Sequence, residues 1–333
     1  MATAVGRALA LAAALCVAAP AVPVLAQGTV QGRVHTDTLW AQSLGIRKAL
    51  AVYLPPSYQS SGARRYPVLV YLHGMYGNER DWTAAGNITR VLDSLAGAGA
   101  PEAIVVMPDG DDGWYTTWNL LVDAGACRAD TVRREPAATY CVPWPHYDDY
   151  IARDIVAHVD RRYRTRATRR SRGIAGLSMG GYGAVSLALA YPDVFAAAAS
   201  HSGVLSPRFL GPRPFAPPAR YASDSAGLRA AAGGLWRFMA PAFGRDTIGW
   251  VARDPGRLAA RLVRQGRRAP ALMFDCGVGD PYIDQNRDLH ATLQRLGVSH
   301  RFTEHPGAHD WTYWRAHVRE SLAFLLGQVA GGS

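Results

Sequence analysis

One short stretch constrains this chain more than any other. Residues 172–184 read Arg-Gly-Ile-Ala-Gly-Leu-Ser-Met-Gly-Gly-Tyr-Gly-Ala. An apolar run suited to a strand leads into Gly176-Leu177-Ser178-Met179-Gly180, and an Ala/Leu-rich run suited to a helix follows it. A serine on a sharp strand-to-helix turn needs small neighbours, and the turn lifts its hydroxyl clear of a sheet edge. The same turn aims the free N–H groups of the next helix at any anion that forms there. In a chain with 34 glycines the five letters alone would mean little. The flanking strand and helix give them weight.

The rest of the chain supplies the sheet that such a turn requires. Strands are expected at 47–54, 67–73, 103–107, 172–177, 195–201, 270–276 and 299–305. Helices are expected at 88–96, 148–163, 180–191, 283–296 and 311–327. Several of the strands, such as Pro67-Val-Leu-Val-Tyr-Leu-His73, are nearly continuous apolar runs, as strands covered on both faces must be. Strand–helix alternation of this kind predicts an α/β fold, with a mostly parallel central sheet and helices on both faces. Ligands in such sheets bind beyond the carboxyl ends of the strands. Residues 27–333 are read as a single domain with two insertions, at about 110–147 and 204–268. The first is rich in Gly, Pro and Trp; the second is rich in Pro, Ala and Arg.

A serine hydroxyl becomes a good nucleophile only when a base takes its proton. On an elbow of this type the acid and then the histidine follow the serine in the chain. Among the later histidines, His309 lies in Pro306-Gly-Ala-His-Asp-Trp311, between the last strand and the last helix, where the base belongs. His305 is the next candidate, at the strand's end. The acid should follow a strand's carboxyl end and hold the imidazole in one tautomer. Asp280 sits in the loop after strand 270–276 and is the choice. Asp275 lies within the strand, and Asp284 begins a helix and is the main rival. A developing oxyanion needs about two fixed N–H donors. Met179 supplies one, and the loop Leu72-His-Gly-Met-Tyr-Gly77 supplies the other through Met75, with Tyr76 as an alternative.

The remaining features set the surroundings. Residues 1–26 carry Arg7, then an apolar Ala/Leu-rich stretch, then Val24-Leu-Ala26 before Gln27, the layout of a cleavable signal peptide. Pro20 and Pro23 break the stretch, which is too short for a stable membrane anchor. The chain is therefore expected to be secreted or periplasmic. In an oxidising compartment Cys127 and Cys141 suit a local disulfide, while Cys276 reads as a small buried apolar group. The net charge is +10, but the basic residues are scattered arginines with a single lysine, Lys48, so a nucleic-acid partner is not expected. No spacing typical of metal ligands appears, and no metal or cofactor is indicated. Trp82, Trp114, Tyr115 and Trp118 are candidates either for walling an aryl or sugar site or for the core.

With these residues in place the chain resembles the esterase D-type family of α/β-hydrolases. That group includes S-formylglutathione hydrolases, feruloyl and acetyl-xylan esterases and the antigen 85 mycolyltransferases. The resemblance covers about residues 45–327. It rests on Val52-Tyr-Leu-Pro55, Tyr71-Leu-His-Gly74, Gly176 to Gly183, Asp275-Cys-Gly277 with Asp280, and His309-Asp-Trp311 with Trp314. It implies an α/β-hydrolase fold, a Ser178–Asp280–His309 triad, oxyanion donors at Met75 and Met179, and hydrolysis of a small-molecule, glycan or lipid ester without a cofactor. Acyl transfer by the same triad, and a non-catalytic binding module on the same scaffold, are the alternatives. The two insertions depart from compact members, so the resemblance carries no substrate.

Overall fold

The computed structural model describes residues 1–2, 31–129 and 136–331. All but two of the residues of the expected signal peptide lie outside that range. Eight strands form the central sheet: β1 (Arg33–Ala41), β2 (Ile46–Leu54), β3 (Val68–Leu72), β4 (Ile104–Pro108), β5 (Arg172–Leu177), β6 (Ala197–His201), β9 (Ala271–Gly277) and β10 (His300–His305). Two further short strands, β7 (Phe209–Gly211) and β8 (Arg220–Tyr221), make a separate ribbon. The order across the sheet is β1-β2-β4-β3-β5-β6-β9-β10. From β4 to β10 every neighbouring pair is parallel, while β2 runs antiparallel to both β1 and β4.

Alternation along the central strands divides the core into two layers, since successive side chains of a strand point to opposite faces. Val68, Val70, Leu72, Ile104, Val106 and Ile174 join one buried cluster with Val159, Val185, Leu262 and Leu289 of the flanking helices. Leu69, Tyr71, Val105, Ala175 and Leu177 join the other, with Leu92, Leu95, Val318, Leu322 and Leu325. The helices on the first face include Val156–Arg162, Met179–Ala190, Pro255–Arg264 and Ile283–Arg295. Ile88–Gly97 and Trp311–Val329 cover the second.

The expected strands and helices all form, with ends shifted by a few residues. The segment expected as one helix from 148 to 163 is helical over Tyr147–Arg162, with π-helical turns at Tyr150–Ile155. Strand β1 was not expected. Its first four residues are exposed and only Leu39 and Ala41 are buried, so this edge strand carries almost no apolar pattern to read. The 204–268 insertion also holds more structure than its composition suggests. Helices Ser225–Ala232, Thr247–Ala252 and Pro255–Arg264 each start at an aspartate, Asp224, Asp246 and Asp254, whose side chain accepts from the first turn. Such caps satisfy otherwise orphaned N–H groups.

The two insertions hold each other. Arg253 donates to Thr116 Oγ1 and to the Thr117 carbonyl, both at 2.7 Å, and Asn119 Nδ2 donates to the Phe243 carbonyl at 2.6 Å. Cys127 and Cys141 are joined by a disulfide with their Cα atoms 5.8 Å apart. Cys276 is a free, buried thiol. Burial, together with the nearby Asp280 and Asp275, pushes its ionisation well up, so it is a packing group rather than a reactive one.

Candidate active site

Ser178 leaves β5 and precedes helix Met179–Ala190 with φ 53° and ψ −117°. A non-glycine residue there is strained, and the surroundings have to impose the conformation. They do so through glycines that let backbone meet backbone. A Cβ on Gly176 would lie 2.3 Å from the Gly180 carbonyl oxygen, and one on Gly180 would lie 2.4 Å from that of His73. The Ser178 N–H donates to the His201 carbonyl at 2.9 Å, tying the turn to the end of β6. The helix that follows is buried from Met179 through Leu189, which explains its uniformly small and apolar sequence.

Three strand ends bring the expected side chains together. Ser178 Oγ lies 2.9 Å from His309 Nε2, and His309 Nδ1 lies 2.8 Å from Asp280 Oδ2. Asp280 follows β9 and its side chain is fully buried, while His309 follows β10 and its side chain is 24% exposed. The other Asp280 oxygen accepts from the Tyr282 N–H at 2.8 Å, which fixes the carboxylate's orientation. The His309 ring sits edge-on between Tyr282 and Trp314, each at 5.0 Å between centroids. Tyr282 and Trp314 thus clamp the imidazole. Gly277 and Gly307 allow the two loops to touch, since a Cβ on Gly277 would lie 2.5 Å from the Gly307 carbonyl oxygen.

The rival residues are engaged elsewhere. Asp284 Oδ1 accepts from the Phe215 N–H at 2.8 Å and from Arg287 at 3.1 Å. His305 stacks on His317 at 4.0 Å, on the C-terminal helix. Asp275 is wholly buried in β9, with His201 Nδ1 at 2.7 Å and the Tyr313 hydroxyl donating to it at 2.8 Å.

Beside the serine, residues 74–77 form a tight turn, with the Gly77 N–H donating to the Gly74 carbonyl at 3.2 Å. A Cβ on Gly74 would lie 3.5 Å from Ser178 Cβ, so only a glycine allows this approach without shifting the Leu177 side chain, 2.7 Å away. The Tyr76 N–H donates to Asp112 Oδ1 at 2.7 Å, so it is already engaged. Met179 opens its helix, so its N–H has no carbonyl one turn earlier to bond.

A buried polar frame holds this turn from below. His73 is 1% exposed; its Nδ1 donates to the Gly74 carbonyl at 2.7 Å and its Nε2 accepts from the Gly110 N–H at 2.9 Å. The Tyr115 hydroxyl donates to the His73 carbonyl at 3.0 Å. Lys48 is 2% exposed and donates to Asp109 at 2.6 Å and Asp111 at 2.9 Å. Burial would raise the Asp109 carboxyl, but the Lys48 ammonium donating to it at 2.6 Å outweighs it and holds the group well below its ordinary range. Desolvation likewise works against the Lys48 ammonium, and the two aspartates more than offset it, raising Lys48 above the usual lysine range.

Of the four aromatics considered as walls, Trp82, Trp114 and Tyr115 are core residues, at most 1% exposed, and Trp118 is half-buried with Nε1 donating to the Gly113 carbonyl at 3.1 Å. The exposed aromatic beside the turn is Tyr76, edge-on to Phe238 of helix Trp236–Phe243 at 5.5 Å. Nothing in the sequence pairs these two, because they are 162 residues apart and meet only when the second insertion folds over the turn. Among the described residues no helix is long and apolar enough to cross a membrane.

A parallel-rich sheet, a serine elbow after β5 and an acid and histidine after later strands together define the α/β-hydrolase fold. Solved structures agree: a ferulic acid esterase matches with a TM-score of 0.64 and 26% identity, over 90% of this chain and 99% of that one. The chain belongs to the family described as "Putative esterase", whose model matches residues 41–325. It is 29% identical over 277 residues to Esterase Rv1288 of Mycobacterium tuberculosis, covering 80% of this chain and 53% of that protein. It is 23% identical over 259 residues to an acetyl esterase of Caldicellulosiruptor saccharolyticus, covering 77% and 82% respectively. The chain thus spans about half the length of the mycobacterial relative.

Proposed function

We propose that this chain is a serine esterase that cleaves carboxylic esters through an acyl-enzyme on Ser178. The observation that carries the reading is the unbroken line from Ser178 Oγ through His309 to Asp280, with contacts of 2.9 and 2.8 Å. As the hydroxyl oxygen attacks the ester carbonyl, His309 Nε2 takes its proton. Asp280 holds the Nδ1–H tautomer and stabilises the imidazolium. The Met179 and Met75 N–H groups receive the oxyanion. The imidazolium returns its proton to the departing alkoxide, leaving the acyl group on Ser178. Water, deprotonated by the same histidine, then releases the acid and restores the serine.

The relatives suggest the acyl group, since one is an acetyl esterase and another a ferulic acid esterase. Both are consistent with a small or planar acyl group entering beside Tyr76 and Phe238. Hydrolysis of p-nitrophenyl acetate and of methyl ferulate tests the reading, together with fluorophosphonate labelling. The expected result is turnover of at least one ester and a single labelled serine that disappears in Ser178→Ala. Labelling that persists in that variant would sink the assignment. Adding an alcohol acceptor tests acyl transfer; a transfer product exceeding the free acid would replace hydrolysis by transfer.

We also propose that the chain is exported through a signal cleaved near Ala26; the Cys127–Cys141 disulfide, which would persist in an oxidising compartment, supports this reading. N-terminal sequencing of exported protein should begin at or near Gln27. An unprocessed N-terminus would overturn the export reading.

A further inference from the structure

The end of β10 and the C-terminal helix bring together three side chains that the esterase chemistry does not use. His305 is the last residue of β10, and His317 and Glu320 lie one turn apart on helix Trp311–Val329. Each offers one ligand atom, and those atoms all lie within 4.8 Å of one another. His317 Nδ1 is 3.0 Å from Glu320 Oε1, and His305 Nε2 is 3.7 Å from Glu320 Oε2. Zinc bonds of about 2.0–2.1 Å to nitrogen and oxygen place tetrahedral ligands roughly 3.3 Å apart, close to the present spacings, and the two stacked rings would turn out of their near-parallel planes so that both in-plane lone pairs meet the ion.

A second observation points the same way. His305 Nε2 is shielded from solvent and has no hydrogen-bond partner among the described residues. Buried polar atoms are normally satisfied, and one that is not asks for an explanation. The packing around it is also ordered. The His305 and His317 rings stack with 19° between planes, and Tyr313, one turn before His317, lies 4.5 Å from the His317 ring. The three side chains are 16–32% exposed, so an ion could enter from solvent and keep a water in the open position. Arg301 Nη2, 3.7 Å from Glu320 Oε2, is the cation that an ion would have to displace or accommodate.

We propose that His305, His317 and Glu320 form a binding site for a divalent transition metal with zinc-like ligand preference, two imidazoles and one carboxylate. The ion would clip the end of β10 to the C-terminal helix. Residues 306–310, which carry His309, run between these two anchors, so an occupied site would hold both ends of the segment that bears the candidate base. The eleven residues separating His305 from His317 hide the site from any short spacing motif.

The test is zinc chloride titrated into chelator-treated full-length protein, followed calorimetrically and by thermal melting. Wild type should bind one zinc per chain, with a melting temperature that rises with zinc. Glu320→Gln and His305→Ala should each weaken binding at least about tenfold and lose the zinc-dependent rise, since even second-shell changes cost about that much. Melting curves in chelator establish that the variants are folded. His309→Ala, which removes a nearby histidine–carboxylate pair outside the proposed site, should bind as wild type does. Unchanged binding in folded Glu320→Gln and His305→Ala, or binding lost in His309→Ala, would overturn the proposal.

Discussion

The molecule contains two serine–histidine–aspartate lines of nearly the same dimensions. At the sheet's carboxyl edge, Ser178, His309 and Asp280 are linked by contacts of 2.9 and 2.8 Å. In the core, Ser321 Oγ lies 2.8 Å from His201 Nε2, and His201 Nδ1 lies 2.7 Å from Asp275 Oδ2. The two acids are five residues apart, on β9 and in the loop after it. What separates the lines is alignment and position: the His201 Nδ1–Asp275 Oδ2 contact, though short, is too misaligned to be a hydrogen bond, whereas His309 Nδ1–Asp280 Oδ2 is one. His201 is completely buried, whereas the His309 side chain is 24% exposed. Ser321 lies inside a helix and donates to the Val318 carbonyl at 3.0 Å, so its hydroxyl proton is already committed. Ser178 stands on a strained turn at the start of a helix whose Met179 N–H has no internal helix partner. Three side chains at hydrogen-bonding distance therefore define a polar pin in one place and a candidate nucleophile in the other. Access and the oxyanion turn decide between them.

The sharpest way to break the comparison is to remove each serine. Ser178→Ala is expected to cut ester kcat by roughly ten-thousand-fold or more with little change in stability, because triad members act as a unit. Ser321→Ala should leave kcat nearly intact and cost about 1–3 kcal/mol in urea unfolding, the cost of leaving a buried partner unsatisfied. Loss of activity in a folded Ser321→Ala would show that the core line reaches the site.

The acids should differ in the same sense. Asp280→Asn is expected to lower kcat by about 10⁴-fold through the wrong imidazole tautomer, with a smaller effect on KM. Asp275→Asn should lower the melting temperature and leave kcat per folded molecule within a few-fold of wild type. Equal loss of kcat in both would erase the distinction.

The frame under the oxyanion turn supplies a third and smaller effect. The Asp109 carboxyl is held below its ordinary value, so it stabilises the fold fully above the ordinary carboxylate pKa of about 3.9. That contribution is lost as pH falls from there through the depressed folded value. Unfolding free energy measured from pH 6 to pH 3 should therefore fall more steeply in wild type than in Asp109→Asn, which should already be less stable at pH 7. Parallel slopes would mean that Asp109 is not the group being titrated. The smallest effect is expected at the mouth. Phe238→Ala should change KM for an aryl ester by several-fold and leave that for p-nitrophenyl acetate nearly unaffected. Equal changes for both substrates would remove Tyr76 and Phe238 from the acyl pocket.

Where the sequence was legible, the information was local. The elbow is a strand, a turn and a helix within thirteen residues, and Gly176 is required by the Gly180 backbone four residues on, although Gly180 itself is required by the distant Leu72 and His73. The histidine could be placed because the loop after the last strand is short. The central strands were readable because both of their faces are covered, which makes them continuous apolar runs. Strand β1 was not, because it lies at the edge with most of its residues exposed. The insertion helices were hidden by an Arg- and Pro-rich composition, although their aspartate caps were present as a signal.

By itself, then, the sequence determined the sheet's interior, the position of Ser178 on its turn and the order in which acid and base follow it. These depend on periodicity and on residues near one another in the chain. The sequence already favoured Asp280 for its place in the loop after β9; the tertiary structure added its 2.8 Å contact with His309 and the engagement of Asp284 with Phe215 and Arg287, which depend on where β9 and β10 end. It also turned the single lysine, Lys48, into the centre of a buried polar frame, moved three of the four candidate aromatics into the core, and set Phe238 against Tyr76. Each of these depends on which distant segments share a volume, and hydrophobic patterning along the chain does not encode that.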